Sequence, residues 1–174
     1  MLKVEDLMQT EPATVPPDLK LVELDRRMLS TRFAGFPVVE GDRLVGVISR
    51  SDVVRSLVVE RAHAELVSDF YCLTRPASPE EDARSLESVA SEVGARYAEL
   101  TVADAMSRNV VSVDAGESLR GLAALMVEGH LHRLPVVKEG RLVGIVTSMD
   151  LVQAIADGRL GGGDAVVDLQ HRIE

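Results

Sequence analysis

The stretch PVVEGDRLVGVISRSD, residues 37–52, decides the fold because a near copy, PVVKEGRLVGIVTSMD, follows at residues 135–150. The two stretches are offset by 98 residues without a gap, and over residues 4–54 the same offset gives 16 identities in 51 positions. Repetition at this level indicates a duplicated structural unit. Because two copies are too few for a solenoid, the sequence predicts two modules packed face to face.

Both copies have the same predicted order of elements. A short strand at Thr14–Val15, or at Ser112–Val113 in the second copy, leads into a helix whose apolar residues recur at helical spacing. A hairpin of two buried strands follows, with a proline at its start, where no ladder N–H is missed. A final helix is expected to begin near Arg50 or Ser148. The fold class is therefore α/β (α+β), with two β-α-β-β-α repeats and a helical insertion between them.

The insertion separates the repeats and is predicted to be a helical hairpin. Pro76 is expected to end the helix that continues from the first module, and SPEE at 78–81 to begin another with a capping box. An apolar stripe ending at Tyr97 is expected to cover the modules or a second subunit. The first module is predicted to span residues 1–60 and the insertion residues 61–100. The second module is predicted to span residues 101–158 and the C-terminal tail residues 159–174.

The composition disfavours several classes of protein. A net charge of −9 argues against binding to DNA or RNA, because their phosphates would be repelled. The single cysteine, Cys72, allows no internal disulfide and indicates a reducing compartment. The chain begins without the apolar core of a signal peptide, and no apolar run approaches the roughly 18–20 residues that span a bilayer. We therefore expect a cytoplasmic protein with neither a nucleic-acid nor a membrane partner.

No motif makes a positive case for catalysis or for a metal site. His130 and His132 lack cysteine or acidic partners at ligand spacing. The glycines at 161–163 lack the lysine and hydroxyl residue that end a P-loop, and are typical of a linker. We expect a protein that is not an enzyme and requires no cofactor.

Both repeats place a hydroxyl residue at a strand end and an aspartate three positions later: Ser49 with Asp52, and Thr147 with Asp150. One interpretation is a capping box, in which both side chains satisfy free N–H groups at a helix start. The other is a ligand site, because a helix N-terminus favours phosphate and two carboxylate oxygens match the paired hydroxyls of a ribose. The spacing alone leaves both interpretations open.

The repeated V-x-D-x-M, [ST]-V, helix, P-V-V, turn and R-L-V-G-[VI]-[IV]-[ST]-x-x-D resemble a tandem pair of cystathionine β-synthase (CBS) domains, also called a Bateman module. The resemblance covers about residues 4–60 and 102–157. It implies two domains packed through their sheets with pseudo-two-fold symmetry. It also implies clefts between the domains that bind an adenosine compound such as AMP, ADP, ATP or S-adenosylmethionine.

The same resemblance implies roles for individual residues. Asp52 and Asp150 would bind ribose hydroxyls, and Ser49 and Thr147 would contact phosphate. The adenine base would be flanked by Thr14, Val15, Phe36 and Pro37 in one cleft and by Ser112, Val113, Leu134 and Pro135 in the other.

The two copies differ just before the proline. The second copy has His132 and Arg133 where the first has Ala34 and Gly35. In some members of the CBS domain family, a basic pair at this position contacts the phosphates of the ligand. An arginine there can donate two parallel hydrogen bonds to a phosphate. This difference favours the second cleft, and which basic residue serves which aspartate stays open.

These features together predict a regulatory module that senses an adenosine ligand and changes its arrangement to regulate an unknown partner protein. A homodimer is expected, because the helices at 55–72 and 79–99 carry more apolar surface than two small modules need. One alternative is a ligand-free CBS scaffold or dimerisation protein. Another is an enzyme whose site comes from the insertion, around His63, Asp69 and Cys72.

Overall fold

The structure is a computed structural model that describes residues 2–72 and 90–159, with the backbone alone described at 63–72. The predictions for Pro76, for the capping box at 78–81 and for the tail from 160 onward lie outside these ranges. The side chains proposed for an enzyme site, His63, Asp69 and Cys72, lie outside them as well.

Each repeat contributes two main helices and a β-hairpin. In the first repeat these elements are α1 (Leu21–Thr31), β2 (Gly35–Glu40), β3 (Arg43–Ser49) and α2 (Arg50–Cys72). In the second they are β4 (Val113–Asp114), α5 (Leu119–Glu128), β5 (Arg133–Lys138), β6 (Arg141–Thr147) and α6 (Ser148–Ala156). A 3-10 turn (Val4–Asp6) and strand β1 (Gln9–Thr10) precede the first repeat, and helical residues 90–99 (α3) and α4 (Val102–Ala105) precede the second.

The predicted order of elements is confirmed. The final helices begin at Arg50 and Ser148, as the sequence indicates. Val15 forms a parallel bridge with Val38, and β4 runs parallel to β5, so the short first strand is present in both repeats. The apolar residues at helical spacing are buried on α1 and α5: Leu21, Leu24, Met28, Leu119, Leu122 and Met126.

The strands form one sheet in the order β2-β3-β6-β5-β4, with β1 beside β6. The two hairpins meet where Arg43 pairs with Arg141, two residues separated by the repeat offset of 98. Gln9 pairs with Ile145, and the corresponding pairing of the other repeat joins Ser107 to Val47. Because equivalent residues make equivalent pairs, a pseudo-two-fold axis passes between Arg43 and Arg141, and the predicted symmetry is confirmed.

The first segment of each repeat packs on the other repeat. Val4 lies in the hydrophobic core of the second repeat, whereas Val102 and Met106 lie in the core of the first. Backbone hydrogen bonds fix this exchange: Val4 N–H donates to the Glu117 carbonyl at 3.0 Å, and Val102 N–H donates to the Leu19 carbonyl at 2.8 Å. Each packing unit therefore combines residues from both sequence repeats, which joins the two modules.

The exchange also explains why both repeats have a glycine at the same strand position, Gly46 and Gly144. A Cβ at Gly144 would lie 2.7 Å from Met8 Sδ and 2.8 Å from the Gln9 carbonyl oxygen. At Gly46 a Cβ would lie 2.5 Å from Met106 Sδ. The group that approaches each strand is therefore the methionine of the other repeat's V-x-D-x-M motif.

Candidate ligand-binding site

The hydroxyl and aspartate of each repeat contact each other at the start of the last helix. At α6, the backbone N–H and the hydroxyl of Thr147 donate to Asp150 Oδ2 at 2.6 and 2.8 Å, and Asp150 N–H donates back to the hydroxyl at 3.3 Å. At α2, the backbone N–H and the hydroxyl of Ser49 donate to Asp52 Oδ2 at 2.8 and 2.6 Å. A full capping box is therefore present at α6, and a related arrangement is present at α2.

The second oxygen of each carboxylate distinguishes the two sites. Asp52 Oδ1 accepts a hydrogen bond from Arg55 Nη1 at 3.2 Å. Within the described part of the chain, Asp150 Oδ1 has no such cation beside it. Both carboxylates thus use Oδ2 for the helix start, and the Oδ1 of Asp52 is already paired with Arg55.

A cavity of about 200 Å³ adjoins Asp52. One wall is a single face of α2, and the other is the exchanged segment that begins the second repeat. We call this cavity the first cleft; its lining residues are Asp52, Arg55, Ser56, Val59, Glu60, Leu100, Asp104 and Ala105. The second cleft is the position related to it by the repeat offset, beside Asp150.

The wall of the first cleft opposite α2 carries its own capping box. The hydroxyl and the backbone N–H of Thr101 donate to Asp104 Oδ2 at 2.7 and 2.8 Å. The bond from the hydroxyl, followed by the bond from the backbone, lowers the pKa of the Asp104 carboxyl below its ordinary value. Asp104 is therefore an ionised acceptor at neutral pH, across the cavity from Asp52.

The side chains predicted to flank an adenine base are mostly buried. Val15, Phe36, Val113 and Leu134 are at most 5% exposed and belong to the two hydrophobic cores. Pro37 and Pro135 are buried too, while Thr14 and Ser112 are partly exposed. A ligand beside these strands would therefore meet backbone atoms and the partly exposed hydroxyls, and the proposed role of these residues stays a prediction.

The basic pair that favours the second cleft in the sequence lies at the start of β5. His132 and Arg133 are both exposed, and the His132 carbonyl accepts the N–H of Ser148 at 2.9 Å. The equivalent Ala34 carbonyl accepts the N–H of Arg50, also at 2.9 Å. This backbone hydrogen bond is therefore the same in both repeats, and the exposed side chains at these positions differ.

Sequence reasoning missed the wall formed by Leu100, Asp104 and Ala105. The V-x-D-x-M motif that contains Asp104 and Ala105 marks the repeat, but the sequence does not reveal which repeat it packs against. Only the exchange of first segments brings it beside Asp52. The described residues contain no group of three or more His, Cys, Asp or Glu side chains that could hold a metal ion. Likewise, none of the helices described is long and apolar enough to cross a membrane.

Comparisons with known proteins identify the family. The CBS domain model matches residues 4–59 and 102–157, which are the two sequence repeats. The chain is 31% identical to the uncharacterized protein MJ1426 of Methanocaldococcus jannaschii over 161 residues, which cover 89% of this chain and 92% of that protein.

Two solved structures have a similar fold. One is the crystal structure of CBSX2 in complex with AMP, with a TM-score of 0.64 and 22% identity over 91% of this chain and 99% of that chain. The other is the CBS domain pair of protein MJ0100 in complex with 5′-methylthioadenosine and S-adenosyl-L-methionine, with a TM-score of 0.57 and 20% identity over 90% of this chain and 98% of that one. The duplicated sequence, the pseudo-two-fold sheet and the family match agree: the chain belongs to the CBS domain family and carries a tandem pair of CBS domains.

Proposed function

We propose that this protein is a regulatory module that binds an adenosine compound in a cleft between its CBS repeats. The observation that carries the proposal is the first cleft, where the Asp52 carboxylate, paired through Oδ1 with the exposed Arg55, borders a cavity. A carboxylate accepts hydrogen bonds from two neighbouring hydroxyls, which is the pattern that a ribose offers. The AMP of CBSX2 and the two adenosyl ligands of the MJ0100 domain pair support this class of ligand.

The charges of the first cleft favour some adenosine compounds over others. Asp52, Glu60 and Asp104 supply three carboxylates to the lining. Arg55 pairs with Asp52, and Arg96 approaches Glu60 at 3.6 Å, so among the described residues Asp104 contributes the uncompensated negative charge of the lining. Phosphate groups would be repelled by this lining, and a sulfonium cation would be attracted. We therefore expect S-adenosylmethionine to bind more tightly than AMP, and AMP more tightly than ATP.

Ligand binding is coupled to the arrangement of the two repeats because the two walls of the first cleft come from different sequence repeats. The cavity, at about 200 Å³, is smaller than the roughly 300–1,000 Å³ of typical small-molecule sites. An adenosyl ligand would therefore move α2 away from the segment around α4. A ligand that binds the open arrangement better shifts the population toward it, and a partner protein can read that shift.

The partner contact and the oligomeric state are part of the same proposal. Exposed apolar side chains lie on the outer helices of both repeats at equivalent positions. They are Leu29, Val54 and Leu57 in the first repeat and Val127, Val152 and Ile155 in the second. We propose that this outer face forms a homodimer, since exposed apolar patches mark interfaces. The regulated protein and the cytoplasmic location stay predictions.

A ligand-free scaffold is the second candidate, and the capping boxes favour it. The bonds from Ser49 and Thr147 to the aspartates explain both hydroxyl–aspartate pairs without any ligand. The scaffold hypothesis does not explain the cavity beside Asp52.

Thermal unfolding with AMP, ADP, ATP and S-adenosylmethionine tests the proposal. A ligand at about 100 times its dissociation constant adds roughly 2.7 kcal/mol to stability, which for a chain of this size corresponds to a rise of about 5–11 °C. The control is the same panel with guanosine in place of adenosine. If no adenosine compound raises the melting temperature at millimolar concentration, the scaffold is the better description.

A further inference from the structure

We propose that the ligand enters only the first cleft, and that Arg159 holds the second cleft closed. This inference rests on the proposed function and specifies which of the two related sites is used. It reverses the preference for the second cleft that the sequence gives through His132 and Arg133. Four differences between equivalent positions carry it.

The first difference is the length of the last helix in each repeat. α2 continues to Cys72, so Ser56, Val59 and Glu60 line the first cleft from one helical face. α6 ends at Ala156, and the equivalent positions are Ala154, Asp157 and Gly158. Asp157 and Gly158 lie beyond the end of α6, so α6 gives the second cleft a shorter wall than α2 gives the first.

The second difference is the direction of the chain after α6. Gly158 has a φ of +66°, a left-handed conformation that glycine adopts without strain, and it turns the chain back over the helix end. Arg159 N–H then donates to the Ala154 carbonyl at 2.9 Å. This bond holds the backbone of Arg159 against the end of α6.

The third difference is what the Arg159 side chain does there. Its Nη2 donates to the Asp6 carbonyl at 3.1 Å. Asp6 is the equivalent of Asp104, which lines the first cleft on the wall opposite α2. The guanidinium therefore connects the two walls of the second cleft, and a ligand would have to displace it.

The fourth difference is the size of one side chain in the exchanged segments. Ala105 lines the first cleft, and its equivalent in the second is Leu7, which packs against the core of the second repeat. The larger side chain reduces the space beside the second aspartate. Opening the second cleft would therefore require both the loss of the Arg159 bond and a smaller residue at position 7.

Isothermal titration of the full chain with S-adenosylmethionine, and separately with AMP, tests the inference. We expect one site per chain in the wild type. Asp52→Asn and Ala105→Leu should each weaken binding by about ten-fold or more, because one removes an ionic acceptor and the other fills the cavity. The same change at the second cleft, Asp150→Asn, should leave the site occupied. The double variant Leu7→Ala with Arg159→Ala should bind two ligands per chain.

Controls separate binding from folding. Arg120→Ala removes an exposed arginine on α5 and should keep the stoichiometry at one. Thermal unfolding followed by circular dichroism checks that each variant folds. If Ala105→Leu is unstable, Asp52→Asn alone tests whether binding depends on the first cleft. Binding that is lost in Asp150→Asn but kept in Asp52→Asn, or two sites in the wild type, overturns this inference while the proposed function stands. Absence of binding to the wild type overturns both.

Discussion

Arg43 and Arg141 lie directly opposite each other on β3 and β6, at the pseudo-two-fold axis of the molecule. The repeat requires this pairing, because any residue on the axis meets its own equivalent. Both side chains are exposed, and their outer neighbours differ: Glu40 pairs with Arg43, whereas Lys138 pairs with Arg141. Three of the four residues in this row are therefore basic, and the repulsion is concentrated around Arg141.

The row predicts a stabilising substitution. Arg141→Glu places an acid between Arg43 and Lys138, and cross-strand pairs of opposite charge contribute roughly 0.2–1 kcal/mol each. Arg43→Glu would attract Arg141 but repel Glu40, so the change in the free energy of unfolding should be close to zero. Urea unfolding at low salt measures both variants. In 1 M salt the gain from Arg141→Glu should shrink, since exposed charges are screened; a gain that salt does not change would rule out the charge explanation.

Gly144 in β6 and Gly140 in the turn before it predict a contrast between a packed and an exposed position. Gly144→Val should destabilise the fold by about 1–3 kcal/mol or more, because its side chain would overlap Met8 and the Gln9 carbonyl. Gly140→Ala should cost only about 1 kcal/mol, since nothing lies near its Cβ and the cost comes from its φ of +77°. Chemical denaturation compares the two. Equal, small losses would contradict the close packing of the exchanged segment on β6.

The outer helices predict the oligomeric state. Light scattering should give twice the 18.8 kDa of one chain. Val152→Asp together with Ile155→Asp should give the mass of a single chain, because two charges would be buried in the apolar contact. The matched control is Val111→Asp, an exposed valine away from these helices, which should remain dimeric. A wild type that is monomeric at every micromolar concentration is incompatible with the proposed interface.

Asp104 predicts a dependence of stability on pH. Its pKa is lowered in the folded protein by the Thr101 hydroxyl, so its contribution to stability is present above the pKa of the unfolded chain, near 3.8. That contribution is lost as the pH falls below about 4 through the lower folded value. Asp104→Asn should remove the part of the stability loss at acidic pH that arises from Asp104. Asp18→Asn is the control. Identical stability curves between pH 2 and 6 for Asp104→Asn and the wild type would exclude the effect.

Much of this protein is determined by its sequence alone. The offset of 98 residues predicts two equivalent modules. Within each module, the helical spacing of apolar residues and the hairpin around its polar turn predict the observed elements. The spacing of the hydroxyl–aspartate pairs predicts both helix starts and candidate ligand contacts, and the capping contacts are present. These features are local, because each depends on side chains within a few positions of one another.

Only the tertiary structure decides which segments share a wall. The segments that begin the repeats have the same V-x-D-x-M pattern, and a local pattern cannot say which of two similar cores it will join. The fold places Asp104 and Ala105 beside Asp52, and it uses Met8 and Met106 to cover the strand glycines. It also ends α6 early and brings Arg159 to Asp6, 153 residues away in the chain. The difference between the two clefts arises from these long-range contacts, because two nearly equal sequence motifs meet different neighbours.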